Sequence, residues 1–163
     1  MFNAFVNFGD IKGECTDKDH KDWVMIDRYV HEVAQPASVT QKTAGSRSAE
    51  AVQFGEFHMY KMIDAATPKL AEACCKGTGI PEITIELWRA GGDPLKYYEI
   101  KLKDAMISRV VQDASPKSDA QFPTEMVGIV FGGIEWTYTK QKADMTAGGN
   151  VAAKWSVAQG AAA

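Results

Sequence analysis

The sequence predicts a mainly β domain carrying one helix, and three observations lead there. Residues 2–8, 23–33, 52–62, 83–102, 106–111 and 125–139 alternate apolar and polar side chains with the period of a strand. Within residues 83–102, ITIELWRAGGDPLKYYEIKL, two such runs flank Gly91-Gly92-Asp93-Pro94, which makes them an antiparallel hairpin. One segment alone carries helix punctuation at both ends, with Thr67 as N-cap, Pro68 at the first helical position and Gly77 at the close.

In chain order, residues 2–8 form the first strand. They have no basic leader and alternate instead of running apolar, so they read as neither signal peptide nor membrane span. Asp17-Lys18-Asp19-His20-Lys21-Asp22 is a charged connection to the strand that starts at Trp23. Residues 37–51, ASVTQKTAGSRSAEA, are small and polar without a periodic apolar pattern and are expected to form a long exposed loop. Loops beyond about 12 residues inside a domain usually carry function or disorder. Residues 112–121 read the same way. The helix, expected at about 68–76, places Leu70, Ala73 and Cys74 on one stripe and so should lie on the sheet. Residues 1–142 are expected to form the β domain and residues 143–163 an Ala- and Gly-rich tail with a short docking strand around Trp155.

The hairpin has a predicted register. Pairing Ala90 with Leu95 puts Leu87 opposite Tyr98, Ile85 opposite Ile100 and Ile83 opposite Leu102, so one face is apolar throughout. The other face pairs Trp88 with Tyr97, Thr84 with Lys101 and Glu82 with Lys103. Glu86 falls opposite Glu99, a like-charge pair that Lys101 on the diagonal is expected to offset.

Composition bounds the function. The 163 residues suit one domain, and 45% hydrophobic content suffices for a core. With 18 basic against 21 acidic residues there is no electrostatic footprint for nucleic acid. Cys15, Cys74 and Cys75 are an odd count, the adjacent pair unsuited to a disulfide, as in a reducing cytosol.

Each segment of the chain that approaches a chemical motif has a plainer reading. His31-Glu32-Val33-Ala34-Gln35 opens like H-E-x-x-H, but Gln35 replaces the second ligand and the setting is a strand. In Asp17 to Asp22, Lys21 and Asp22 occupy positions where a calcium loop needs a ligand and a glycine. No serine sits in G-x-S-x-G, Cys74-Cys75 lacks C-x-x-C spacing, and Gly77-Thr78-Gly79 ends a helix instead of opening one. No catalytic residue, metal or cofactor is therefore expected, although an enzyme that assembles His20, His31 or His58 in space stays a rival reading. Trp88 and Tyr97 form an aromatic pair on the charged face, read either as ordinary cross-strand pairing or cover by the helix, or as a subunit interface.

Five blocks, in order, resemble a known family. They are Gly13-Glu14 with Asp17 through Trp23; Lys61-Met62-Ile63-Asp64 with Thr67-Pro68-Lys69-Leu70; Glu86-Leu87-Trp88-Arg89-Ala90-Gly91-Gly92; Tyr98-Glu99-Ile100-Lys101-Leu102; and Ile134-Glu135-Trp136-Thr137-Tyr138. Together they are similar to the haemolysin-coregulated protein (Hcp) family, the tube-forming components of type VI secretion systems. The resemblance implies a compact barrel of two packed antiparallel sheets with one flanking helix. It also implies hexameric rings that stack into a hollow exported tube, capped by a spike protein and enclosed by a contractile sheath. Small effectors bound in the lumen would make the ring a chaperone, the alternative reading. The chain would be made in the cytoplasm without a signal peptide and then secreted by the machine, with no membrane insertion. Thr43, Ala44, Gly45, Ser46 and Arg47 are expected to contact a neighbouring subunit or ring.

Overall fold

One 18-residue strand, Lys96–Asp113, organises the fold. The computed structural model describes residues 2–38, 48–49, 51–91, 94–115, 122–142 and 146–163. The elements are β1 (Phe2–Asn7), β2 (Val24–Ile26), β3 (Arg28–Val30), β4 (Val33–Ala34), β5 (Ala37–Ser38), β6 (Ser48–Ala49), β7 (Gln53–Phe54) and β8 (Phe57–Met62). They continue with α1 (Thr67–Lys76), β9 (Gly79–Arg89), β10 (Lys96–Asp113), β11 (Thr124–Val130), β12 (Gly133–Gln141), β13 (Ala147–Ser156) and β14 (Ala161–Ala162).

The first half of β10 lies between β9 and β12, and its second half pairs with β11. Asp104, in the left-handed region at φ 48°, stands between the two halves. The strand therefore belongs to two layers. The first contains β2, β1, β9, the start of β10, β12, β13 and β14; the second contains the end of β10, β11, β8 and β3. They approach again at Asp27, which separates β2 from β3 and donates its N–H to Tyr60 O at 2.8 Å. The mainly β fold with one helix is as expected. The barrel itself is corrected: a ten-stranded antiparallel sheet folds into two layers that share bent strands, rather than closing as a regular barrel.

Val6, Ile83, Ile85, Ile100, Leu102 and Ile134 of the first layer meet Phe57, Met59, Ile107, Val127 and Ile129 of the second in one buried cluster. Alternation predicts these positions, because residues two apart share a face. Leu70 and Ala73 add the helix stripe to the cluster, with Cys74 packed against it.

The predicted hairpin register holds from Leu87 and Tyr98 inward to Glu82 and Lys103. It fails at the turn: Trp88 pairs with Lys96, and the irregularity between Lys96 and Tyr98 leaves Tyr97 as a bulge, so the expected Trp88–Tyr97 pair does not form. The helix cap is also corrected. Ala66 occupies the N-cap without a side-chain bond, while Thr67 is already helical and turns its hydroxyl inward. Asp64 Oδ1 accepts the Ala66 N–H at 2.9 Å instead. Gly77 closes the helix at φ 61°, as predicted.

Residues 37–51 are not simply a loop. Ala37 and Ser38 pair with Ala49 and Ser48, just beyond a ladder that joins Val33 to Phe54 and Ala34 to Gln53. These two ladders make an antiparallel arm, held by backbone bonds that side-chain periodicity does not report. Thr43, Ala44, Gly45, Ser46 and Arg47 lie outside the described residues. The Ala- and Gly-rich stretch after residue 146 contains the ten-residue strand β13, which pairs along most of its length with β12.

Candidate functional surface

The side of the first layer away from the buried cluster carries ordered rows of polar residues across its strands. Directly paired residues share a face, so one row runs Phe5, Glu86, Glu99, Thr137, Ala152 across five strands. The next runs Asn7, Thr84, Lys101, Glu135, Lys154. Glu82 and Lys103 form an ion pair beside them. That bond holds the Glu82 carboxyl below and the Lys103 ammonium above their ordinary values.

The Tyr97 bulge explains how the layer tolerates Glu86 opposite Glu99. It brings Lys96 around so that its ammonium lies 3.0 Å from Glu86 Oε1 and also bonds Glu99. Lys101, the expected compensator, is 3.7 Å from Glu99 and contributes less. Burial pushes the Glu86 carboxyl up, but donors on His20, Trp88 and Lys96 outweigh it and hold the group below its ordinary value. Burial likewise lowers Lys96, and its two carboxylate partners reverse this and raise it.

The connection after β1 covers one side of this face. His20, 3% exposed, stacks on Phe5 with centroids 4.0 Å apart and meets the rings of Trp23 and Trp88 edge-on. This cover explains why Ala4, Phe5 and Val6 are all buried although their side chains alternate. Gly13 is required here by close approach, since a Cβ would stand 2.4 Å from Trp23 O. Trp88 is half-buried and donates its indole N–H to Glu86 Oε2 at 2.8 Å. Tyr97 instead lines a hollow with Phe2, Arg89, Leu95, Tyr138, Thr139 and Gln141. The two aromatic candidates thus serve different surroundings.

A second polar network lies inside the fold. Lys61 and Glu125 are cross-strand partners on the apolar face, both with fully buried side chains and 2.7 Å apart. Lys61 also reaches Asp64 at 2.7 Å and Met62 O at 2.8 Å, and the Thr67 hydroxyl donates to Glu125 Oε1. The pair ties the start of α1 to β8 and β11. Glu125 was missed in the sequence, yet parity marks both positions: Lys61 continues Phe57 and Met59, and Glu125 precedes Val127 and Ile129 on one face.

The histidines occupy three separate settings. His20 faces Asp17 and Glu86, His58 lies 3.0 Å from Glu56, and His31 stacks among Phe54, Phe57 and Phe131. Burial lowers the His31 imidazole, and the His58 bond lowers Glu56. Among the described residues no cluster of His, Cys, Asp or Glu is arranged to hold a metal ion, and no helix is long and apolar enough to cross a membrane.

The first layer also ends in an unusual strand. Ala147 through Lys154 of β13 are exposed on both faces. On the side away from β12, β14 pairs only with Trp155 and Ser156, so the rest of that edge has no strand partner among the described residues.

Comparison with known proteins places these features. Residues 5–138 match the family model described as type VI secretion system effector, Hcp. The chain is 31% identical over 159 residues to protein hcp1 of Pseudomonas aeruginosa, covering 96% of each. A type VI secretion system effector from Yersinia pestis superposes with a TM-score of 0.76 at 25% identity, over 94% of this chain and 99% of that one. A type six secretion system protein superposes with a TM-score of 0.94 over both full chains, and at 21% identity that likeness concerns the fold.

Proposed function

Because the chain belongs to the Hcp family of type VI secretion systems, we infer that it is a tube subunit, which assembles into rings that stack into a hollow exported tube. The observation that carries this reading is β13, bare on both faces and unpaired along most of one edge. An isolated protomer leaves such a strand open to pairing or packing by another chain. A ring that closes by rotation needs a head-to-tail contact between two different surfaces of each subunit, and this edge supplies one.

The polar side of the first layer suits the wall of an aqueous bore: its charges pair along and across the strands, and Glu82, Glu86, Lys96 and Lys103 answer one another there. In that position it would also meet small effectors, the cargo of the chaperone reading. The spike and sheath contact the outside and the ends of such a tube. Thr43, Ala44, Gly45, Ser46 and Arg47 lie in sequence between β5 and β6, and contact with a neighbouring subunit or ring is the role proposed for them. The role is structural and needs no turnover, and secretion proceeds through the machine itself.

Native mass spectrometry of the purified chain tests the reading. A six-subunit species, with a central hole in negative-stain images, is expected. A strictly monomeric protein at micromolar concentration would overturn it.

A further inference from the structure

The segment between β1 and β2 is fastened to the polar face through one buried imidazole with anions on both sides. His20 Nδ1 is 2.7 Å from Asp17 Oδ1 on its own segment, and His20 Nε2 is 2.9 Å from Glu86 Oε2 on β9. A neutral imidazole has one N–H and one lone pair, so it bonds one of these oxygens and turns a lone pair toward the other. Only the doubly protonated ring donates to both. We propose that His20 is a proton-operated latch that seats residues 10–23 on β1 and β9 while both ring nitrogens carry protons, and releases them when the second proton leaves.

The surroundings leave the ring no other polar partner in view. Phe5 lies flat against it from β1, and Trp23 and Trp88 approach edge-on from the segment and from β9. The charged groups that face it are Asp17 and Glu86, with Lys96 and Glu99 of β10 behind Glu86. Lys18, Asp19, Lys21 and Asp22 on the same segment are exposed. Asp17 and Glu86 are both held below ordinary carboxylate values, Asp17 chiefly by the His20 bond, so both present an anion to the ring.

The segment is a closed turn. Asp22 sits at φ 65°, a left-handed conformation that aspartate adopts as a single residue in tight turns. Four backbone bonds close the turn: Gly13 N–H to Asp22 O, Cys15 N–H to Trp23 O, Asp22 N–H to Cys15 O and Trp23 N–H to His20 O. Release would uncover Phe5, Cys15 and Glu86, all now buried, on the polar face of the first layer. The device goes beyond the tube reading and does not depend on ring formation.

Nitrogen-15 NMR of the His20 ring, with amide exchange at Gly13, Cys15, Asp22 and Trp23, tests this from about pH 5 to about pH 8, the range in which imidazoles change charge. With exchange corrected for its intrinsic pH dependence, loss of the second ring proton should coincide with roughly tenfold faster exchange in the segment. Leu102 and Ile129 amides should not follow. Glu86→Gln and Asp17→Asn each remove one anion, and in both the segment should stop tracking the ring. A singly protonated ring beneath a closed segment, or opening with no change at the ring, would overturn the latch, as would variants that behave like the parent.

Discussion

At the residue scale, the pair of Lys61 and Glu125 shows how burial sets the consequence of a change. A buried charge whose partner is removed costs about 3–5 kcal/mol, because nothing replaces the lost solvation. Lys61→Met should therefore destabilise the fold by about that amount, stranding Glu125 and Asp64 at the start of α1. Lys61→Met with Glu125→Leu should recover most of it, since the surrounding side chains of the core are apolar. Urea unfolding of the single and double variants measures both, and a double variant no better than the single would sink the account. His31 carries a pH dependence of definite sign. Burial lowers its imidazole below the ordinary 6.5, so the neutral ring is the favoured state in the fold. Its contribution is complete above 6.5 and is lost as pH falls through the depressed value. The wild type should thus lose stability relative to His31→Phe as pH falls below about 6.5, in urea midpoints taken at successive pH values. Glu86 adds a lower step: its contribution is complete above 4.5 and fades as pH falls through its own depressed value, a step that Glu86→Gln should abolish.

At the scale of elements, the hairpin of β9 and β10 separates what alternation determines from what it does not. From Leu87 inward every pair was legible, because shifting the register by one residue would carry Ile83, Ile85 and Leu102 out of the core. At Trp88 that constraint fades. The bulge at Tyr97 answers instead to Glu86 and Glu99, whose repulsion is relieved once Lys96 reaches both. Lys96→Met should cost about 1 kcal/mol, discounted because the side chain is a third exposed, and should perturb the turn more than the core. Chemical denaturation with Trp88 fluorescence reads both effects, and an unchanged midpoint would refute the charge account of the bulge. Two other elements were legible only in part. Gln53–Phe54 falls inside the predicted run 52–62 and β13 includes the strand expected around Trp155, but the pairing of β4 with β7 and of β5 with β6, and the extent of β13 back to Ala147, rest on main-chain bonds in short or Ala- and Gly-rich runs without a periodic apolar signal. The paired clusters gave the opposite case: Asp17, His20, Lys61, Asp64 and Glu86 were recognisable as family-like residues, but their partners across the fold, such as Glu125, emerge only when strands pair. Removing Thr43 through Arg47 should leave rings intact and weaken stacking, visible as shorter tubes in negative stain; tubes of unchanged length would refute that role.

At the scale of the whole molecule, what matters is which surfaces the protomer leaves open. The exterior of α1 is solvated in an ordinary way: Lys69 and Lys76 bracket Glu72 and pull its carboxyl down to about 2, an exposed arrangement of little consequence for assembly. The exposed side of β13 differs, since Val151 and Tyr138 stand directly opposite each other with about half of each accessible. Val151→Asp changes a side chain that is about half exposed in an isolated protomer, so its unfolding free energy should fall by no more than about 1 kcal/mol. In a ring that covers this edge, the same carboxylate would be buried without a partner, at a cost of several kcal/mol per contact. Repeated at every junction of a closed ring, that cost should convert the assembly to monomers at micromolar concentration, while Glu72→Ala on the outside of α1 leaves it unchanged. Native mass spectrometry and analytical ultracentrifugation of the two variants separate the effects. A folded Val151→Asp protein that still forms rings would show that β13 is not a subunit contact, and the head-to-tail surface would then have to lie elsewhere on the protomer.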